Sequence, residues 1–302
     1  MPLQGSLSIE RMCQLGQVSR AGLYRHLQVR APREEEMLVR ARVQEIALAH
    51  HRRYGCRRVT AELHQQGMIV NHKRVERILR EDNLLALRYR KFVPTTDSRH
   101  GHQVYLNLAK RMELSGVNQL WVADITYLRL QQEFVYLAVI LDGFSRRVVG
   151  WSVERSLQTR LTLGALQGAI ADRRPLPGLV HHSDRGAQYA SPEYVAVLLA
   201  HGMLPSMSRA GCPYDNAACE SFMKTLKQEE IYANEYRDME HLQAHLEEFL
   251  DRYYNVRRLH SALGYQSPEA FEAQTPVQGQ ESRAAKIEFS KASEIYRSDV
   301  SV

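Results

Sequence analysis

Between residues 121 and 153 the chain carries three β-rich runs, WVADITYLRL, FVYLAVILD and RVVGWSV, separated only by the polar joints QQE and GFSR. Apolar and β-branched runs joined this closely make an antiparallel meander, and whatever else the chain folds into must be built around it. The pattern then changes. A helix is expected at about 157–172, then the short run GLVHHS, a helix at about 192–200 and a second short run, MLPSMS. Strands that come first as a meander and then alternate with helices predict an α/β domain, a mixed five-stranded sheet flanked by helices. Further helices are expected at about 215–230, capped by Asp215 or Asn216, and at about 238–254.

Three acids stand out in this part of the chain. In WVADITYLRL, period-two alternation puts Val122, Asp124, Thr126 and Leu128 on one side of the strand. A carboxylate there is costly to desolvate unless a positive group meets it. The competing account is an acid on an edge strand, facing water. Asp184, in HHSDRGAQYAS, follows the run GLVHHS, at a strand end of the kind where active groups of an α/β sheet gather. It is equally suited to forming a turn beside Gly186. Glu220, in YDNAACESFMKTLKQEE, shares a helix face with Lys224 and Lys227, while Cys219, Phe222, Met223 and Leu226 form the apolar stripe. Here the plain alternative is a surface ion pair between Glu220 and Lys224.

Carboxylates from a strand, a strand end and a nearby helix could converge on hard divalent cations. Magnesium prefers carboxylate and water oxygens and is usually held by few protein ligands, with substrate phosphate supplying the rest. Two such ions about 3.5–4 Å apart stabilise both the attacking and the leaving oxygen of an in-line phosphoryl displacement. Lys224 and Lys227 would then lie where a nucleic-acid backbone passes. His181 and His182 invite a zinc reading, but no further His or Cys cluster completes a site. They are read as strand-end residues, with His182 a candidate substrate contact. Cys212 is read as a loop filler.

The charge distribution points the same way. Residues 1–111 contain 21 Lys and Arg against 10 Asp and Glu, and the remainder 19 against 24, giving +6 for the 302-residue chain. A basic first third attached to a mildly acidic remainder suits a segment that grips polyanions. Within it, residues 8–28 read as two short helices around Gly16, with Ser8 and Ser19 as caps. An amphipathic stretch at 34–51 follows. RRVTAELHQQG, closed by Gly67, and NHKRVERILRED, capped by Asn71, then repeat the pattern. Each pair fits a helix-turn-helix, whose second helix enters the major groove. Lys73, Arg74 and Arg77 lie on the first turns of the last helix, clear of its apolar face of Val75, Ile78 and Leu79. A small helical bundle with basic sides is the alternative. No apolar run approaches the length of a membrane span, no secretory signal opens the chain, and four scattered cysteines fit a reducing cytoplasm.

The segments WVADITYL, HHSDRGAQYAS, DNAACESFMKTLKQE and YYNVRRLHSALGYQSPEAF, in that order, resemble motifs of bacterial insertion-sequence transposases of the third insertion-sequence family, over roughly residues 50–273. The core of these proteins is similar to retroviral integrase on an RNase H-like fold. The family spaces its second Asp and its Glu by 35 residues, as Asp184 and Glu220 are spaced here, with a basic residue seven positions on, matched by Lys227. The resemblance implies that Asp124, Asp184 and Glu220 are metal-binding catalytic acids, that Mg²⁺ (with Mn²⁺ as substitute, two ions per site) is the cofactor, and that Asp142 is structural. Arg257 and His260 fall in the family's YN-x-x-R-x-H signature, as DNA contacts or in helix packing. The organisation expected is a helical segment at 1–50, a DNA-binding helix-turn-helix at 51–87, a linker at 88–117, an RNase H-like integrase core at 118–274 and a mobile tail at 275–302.

The function implied is metal-dependent cleavage and strand transfer at the ends of an insertion sequence, in the bacterial cytoplasm. The partners implied are double-stranded DNA (terminal inverted repeats and target), a second copy of the chain on paired ends, and an upstream-frame product of the kind this family often makes. A catalytically silent DNA-binding repressor of the element is the alternative. A structural ion-pair network without catalysis is a third, and it would place the three acids far apart.

Overall fold

The computed structural model describes residues 8–27, 34–86, 103–131, 133–208 and 216–275; the basic run at 88–91, Cys212, Asp215 and the expected tail beyond 275 lie outside them. The chain divides into two compact units, Met1–Leu85 and Ala86–Val302.

The first unit is all-helical: α1 (Ile9–Leu15), α2 (Arg20–Leu27), α3 (Glu34–Ala49), α4 (Cys56–Gln65) and α5 (His72–Glu81). The capping residues explain where these helices begin. Ser8 accepts from the Arg11 N–H at 3.2 Å, Ser19 from Gly22 at 3.0 Å and Asn71 from Lys73 at 2.9 Å, each satisfying a first-turn donor that the helix leaves without a partner. Gly67, at φ +81°, takes the left-handed turn after α4 that a side chain would resist. α3, α4 and α5 pack on one another. Their inner faces bury Val43, Ile46, Val59, Leu63, Val75, Ile78 and Leu79.

The second unit is built on five strands, β1 (Leu120–Arg129), β2 (Phe134–Asp142), β3 (Val148–Glu154), β4 (Val180–Ser183) and β5 (Leu204–Met207). Its helices are α6 (Thr159–Arg173), α7 (Pro192–Ala200), α8 (Ala217–Leu226), α9 (Met239–Glu247) and α10 (Pro268–Gln274). The sheet order is β3-β2-β1-β4-β5. β1, β2 and β3 pair antiparallel as the expected meander, and β4 and β5 run parallel to β1. This is the mixed, helix-flanked sheet that the sequence predicts. The parallel half follows from the connections: α6 and α7 are crossovers long enough to return the chain to the same end of the sheet. One face packs Trp121, Ala123, Ala138, Ile140 and Val149 against Leu161, Ala165, Leu166 and Ala169 of α6 and Tyr194 and Leu198 of α7.

Residues 103–117, inside the stretch expected as a linker, lie on this unit. Tyr105 packs against the α6–α7 cluster, the Leu108 N–H donates to Ser206 Oγ at 2.9 Å, and Leu114 lies against Gly143. The segment's polar composition hid these few apolar anchors.

α6 lies unusually close to β3. A Cβ on Gly150 would stand 2.3 Å from the Ala165 carbonyl oxygen and 2.7 Å from Ala169 Cβ. Gly150→Ala must push the helix off the sheet, at a cost of about 2–4 kcal/mol. Denaturant unfolding checks this, and wild-type stability in the variant would show that the helix can yield.

Candidate active site

β1 and β4 pair in the register Leu120 to Val180, Trp121 to His181 and Val122 to His182. The pairing stops there: Asp124 lies midway along β1, and Asp184 is the first residue beyond the carboxyl end of β4, the strand beside it. A carboxylate just past the end of a parallel strand stands where active groups of an α/β sheet gather. β1 lies between β2 and β4, but its pairing with β4 ends at Val122, so Asp124 sits half-buried beside the open end of β4 and not on an outer edge of the sheet. Opposite Asp124 on β2 stands Val139, which is fully buried.

Glu220 comes from α8, which packs on β1. Asn216 stands at the N-cap position of α8 but accepts no capping bond there; its Nδ2 donates instead to the Ala123 carbonyl at 3.2 Å, beside Asp124. The start of the helix is thereby tied to the strand one turn before Glu220. Cys219, Phe222, Met223 and Leu226 are buried, as their spacing predicts, and Glu220 and Lys224 are exposed.

The electrostatics show that the acids share a neighbourhood. The Asp124 carboxyl is pushed up to about 7, chiefly by burial, with the charges of Asp184 and then Glu220 adding to the rise. The N–H of Ile125, 2.9 Å from Asp124 Oδ1, and the Lys227 ammonium act against this. Burial lowers Lys227 in turn, while Asp124 pulls it up. The Lys227 ammonium sits 5.1 Å from the centroid of the Tyr127 ring, a cation–π arrangement that leaves it half-buried beside the acids. Asp184 also forms its turn: Oδ1 accepts from the Gly186 N–H at 2.9 Å. The two accounts of this residue are compatible.

The donor set suits a hard divalent cation, since carboxylate oxygens that repel one another gain most from a shared positive ion. Among the described residues, no three His, Cys, Asp or Glu side chains close into a ready-made cage. Magnesium does not require one, because water and substrate phosphate complete its shell.

Several other residues have roles the structure makes plain. His181 is buried, bonded to the Tyr194 hydroxyl at 3.0 Å, and held down to about 3 by burial, so it is neutral. His182 meets Ser206 through Nδ1 at 2.8 Å and Ser208 through Nε2 at 3.1 Å. With both ring nitrogens engaged and the side chain wholly buried, His182 ties β4 to β5, and the candidate substrate contact gives way to this packing role. Asp142 is also fully buried. It accepts from the N–H groups of Asn118, Phe144 and Ser145 at 2.7–2.9 Å, which organise the β2–β3 turn.

Counted along YNVRRLH, residues 254–260, the arginine of YN-x-x-R-x-H is Arg258 and not the Arg257 taken from the sequence. Arg257 is exposed, whereas His260 is buried edge-on to Tyr254 and forms a backbone bridge with Gln266. That burial favours packing for His260 over DNA contact. The arginine the sequence reading passed over is Arg258, 3% exposed, whose Nε and Nη2 grip both oxygens of Glu229 at 2.7 Å. The count of YN-x-x-R-x-H along YNVRRLH was the signal that could have found it, since it falls on Arg258, the arginine that turns inward. Glu229 lies in a π-helical turn, Lys227–Ile231, that continues α8, an irregularity with no evident sequence signal.

In the first unit, Lys73 is exposed on α5. Arg74 Nη1 pairs with Glu35 at 3.0 Å, and Arg77 pairs with Glu36 at 2.8 Å and Glu81 at 3.1 Å. The first turn of α3 thus places carboxylates on two of the three expected DNA contacts.

The family models for an HTH-like domain and an integrase core domain match residues 32–92 and 115–213, and a second integrase core model matches 201–268. The chain is 39% identical over 274 residues to transposase InsF for insertion sequence IS3A of Escherichia coli (strain K12), covering 89% of this chain and 95% of that protein. It is 38% identical over 264 residues to the insertion element IS600 uncharacterized 31 kDa protein of Shigella sonnei, covering 86% and 97%. Among solved structures, a simian T-cell lymphotropic virus intasome in complex with PP2A regulatory subunit B56 gamma aligns with TM-score 0.47 and 18% identity, over 80% of this chain and 78% of that one. The HTLV-2 integrase catalytic core domain in complex with magnesium aligns with TM-score 0.40 and 18% identity, over 52% and 97%. With a curated relative matched at this identity along nearly its whole length, the chain belongs to the IS3-family transposases.

Proposed function

We propose that the chain cuts and joins DNA at the ends of an insertion sequence, with Asp124, Asp184 and Glu220 holding Mg²⁺, or Mn²⁺ in its place. The observation that carries this reading is that Asp124 on β1, Asp184 just past the end of the paired β4, and Glu220 on α8, which packs on β1, lie close enough for the charges of the latter two to raise the proton affinity of Asp124. The kinship with transposase InsF gives the chemistry its substrate, DNA. When bound, a pair of such ions stabilises the attacking and leaving oxygens of an in-line displacement, first by water and then by the freed 3′-hydroxyl.

The chain's own part is to place and tune the ligands. Asp124 gives up its proton as positive charge arrives. Lys227, half-buried and coupled to Asp124, offsets part of the negative charge and stands where a scissile phosphate would enter. Lys224, exposed one turn along α8 from Glu220, and Arg257 would meet the DNA backbone further out. α5, with Lys73, Arg74 and Arg77, would engage the terminal inverted repeats, and a second copy of the chain would bring the paired ends together. On this reading the domain plan is an amino-terminal DNA-binding half and a catalytic core.

A strand-joining assay on DNA carrying the element's own ends tests the proposal. Wild type should join ends with Mg²⁺ or Mn²⁺. Asp184→Asn, which removes charge but little volume, should lose at least about 100-fold in rate while still binding the ends. Joining that survives the substitution, or that proceeds in EDTA, would sink it.

Proton and cation compete for Asp124, which sets two pH dependences. The carboxyl titrates at about 7 in the folded protein against 3.8 for the free side chain. The metal-free fold therefore holds a proton that the unfolded chain releases, and stability from this group is lost as pH rises through that window. Asp124→Asn should flatten the slope of Tm against pH and raise Tm at pH 8 in EDTA. Apparent Mn²⁺ affinity of the wild type should weaken below pH 7, by at most about tenfold per unit for one displaced proton. A metal titration followed by thermal shift at pH 6, 7 and 8 reads both; a flat response would remove Asp124 from the ligand set.

A further inference from the structure

Tyr189 lies five residues beyond Asp184, and the loop between them is tightly determined. Asp184 Oδ1 accepts from the Gly186 N–H, and the Gly186 carbonyl accepts from Tyr189 N–H at 3.0 Å. The Tyr189 ring is packed edge-on to Tyr194, with centroids 5.4 Å apart, and tilted against His181 at 6.4 Å. Only 3% of the residue is exposed. Its hydroxyl oxygen is nonetheless among the described buried atoms with no hydrogen-bond partner. A second such atom, Asn216 Oδ1, belongs to the side chain that ties α8 to the Ala123 carbonyl.

A buried phenol without a partner is costly, and native proteins rarely keep one unless water or an ion completes it. Packing does not explain the hydroxyl, because phenylalanine would fill the same aromatic cluster. The neighbouring Tyr194 makes the contrast plain, since its hydroxyl is spent on His181 at 3.0 Å. The Tyr189 ring belongs to the α6–α7 cluster, at the end of the loop that begins at Asp184, and the charges of Asp184 and Asp124 act on its hydroxyl.

We propose that Tyr189 is a positioning residue of the metal site, its hydroxyl hydrogen-bonding a water of the divalent cation's shell and so holding the hydrated ion against Asp184. This rests on the reading that the acids bind Mg²⁺ or Mn²⁺. The residue touches neither DNA nor the reacting atoms. Its polar group waits for a partner that arrives with the cation, so the metal-free fold carries the unpaired hydroxyl and the loaded one does not. Substitution of outer-shell partners of this kind typically costs about 10–100-fold in metal affinity.

The test uses the full chain and Mn²⁺ as probe, with Tm measured in EDTA and across a Mn²⁺ titration, alongside strand joining. Tyr189→Phe should match or exceed the wild-type Tm in EDTA, require about tenfold or more Mn²⁺ for half its metal-induced shift, and recover joining at high Mn²⁺. Tyr194→Phe, which breaks the bond to His181, should lower Tm in EDTA and leave the Mn²⁺ midpoint where it was. A Tyr189→Phe chain with the wild-type Mn²⁺ midpoint overturns the proposal, as does one that is less stable in EDTA or fails to fold, because an unpartnered hydroxyl cannot be what folding needs. Asp184→Asn separates the two readings. If wild type shows no Mn²⁺ shift, or Asp184→Asn keeps it, the metal assignment falls and takes this one with it. If wild type responds, Asp184→Asn does not, and Tyr189→Phe behaves as wild type, the role of Tyr189 alone is lost.

Discussion

Two carboxylates held close together, one on β1 and one just past the end of β4, repel each other and lose hydration, and the fold of the second unit has to be stable despite them. The cost is visible in Asp124, which retains a proton to about pH 7. What holds the arrangement is the packing beneath it. β1 is clamped between β2 and β4, the opposite face is sealed by α6 and α7, and His182 fastens β4 to β5 through two serines. Asn216 then fixes where α8 starts. None of these groups is a ligand in the proposed site, yet each limits how far the carboxylates can relax apart. A site of this design is preorganised by its scaffold rather than by bonds among the acids.

How much of this was legible in the sequence depends on the range over which each feature is determined. The meander was readable because its joints are too short for any other connection, and the caps at Ser8, Ser19 and Asn71 because a helix start is a local event. Asp124 was conspicuous on an apolar strand, but its interior position was not, since sheet order is set by distant segments. The nearness of Asp124 and Asp184 depends on the parallel pairing of β1 with β4, strands some sixty residues apart, which no local pattern encodes. The fixed spacing of Asp184 and Glu220 stood in for that geometry through family resemblance.

Other features escaped for the same reason. β4 is only four residues long and buried on both faces, so alternation had nothing to reveal, and His182 stood as a candidate substrate contact when it is interior, as His181 is. The choice between Arg257 and Arg258 was readable from the count of YN-x-x-R-x-H, but its partner was not, since Glu229 sits in the π-helical turn Lys227–Ile231, which has no evident sequence signal. Tyr189 was invisible as a polar group because its ring alone satisfies the pattern of a core position.

The ion pairs between α3 and α5 change what docking onto a polyanion would mean for the first unit. Arg74 and Arg77 already have counter-ions in Glu35 and Glu36, surface pairs individually worth little and easily exchanged. A phosphate arriving at α5 would replace a carboxylate instead of meeting a vacant charge, and dissolved salt weakens the pairs on both sides of that exchange. The salt slope of binding would then fall short of a count of the basic residues on α5. Glu35 and Glu36 of α3 act as an internal competitor: an isolated or poorly aligned phosphate gains no more than it displaces, and only a surface presenting several phosphates in register would dislodge both together.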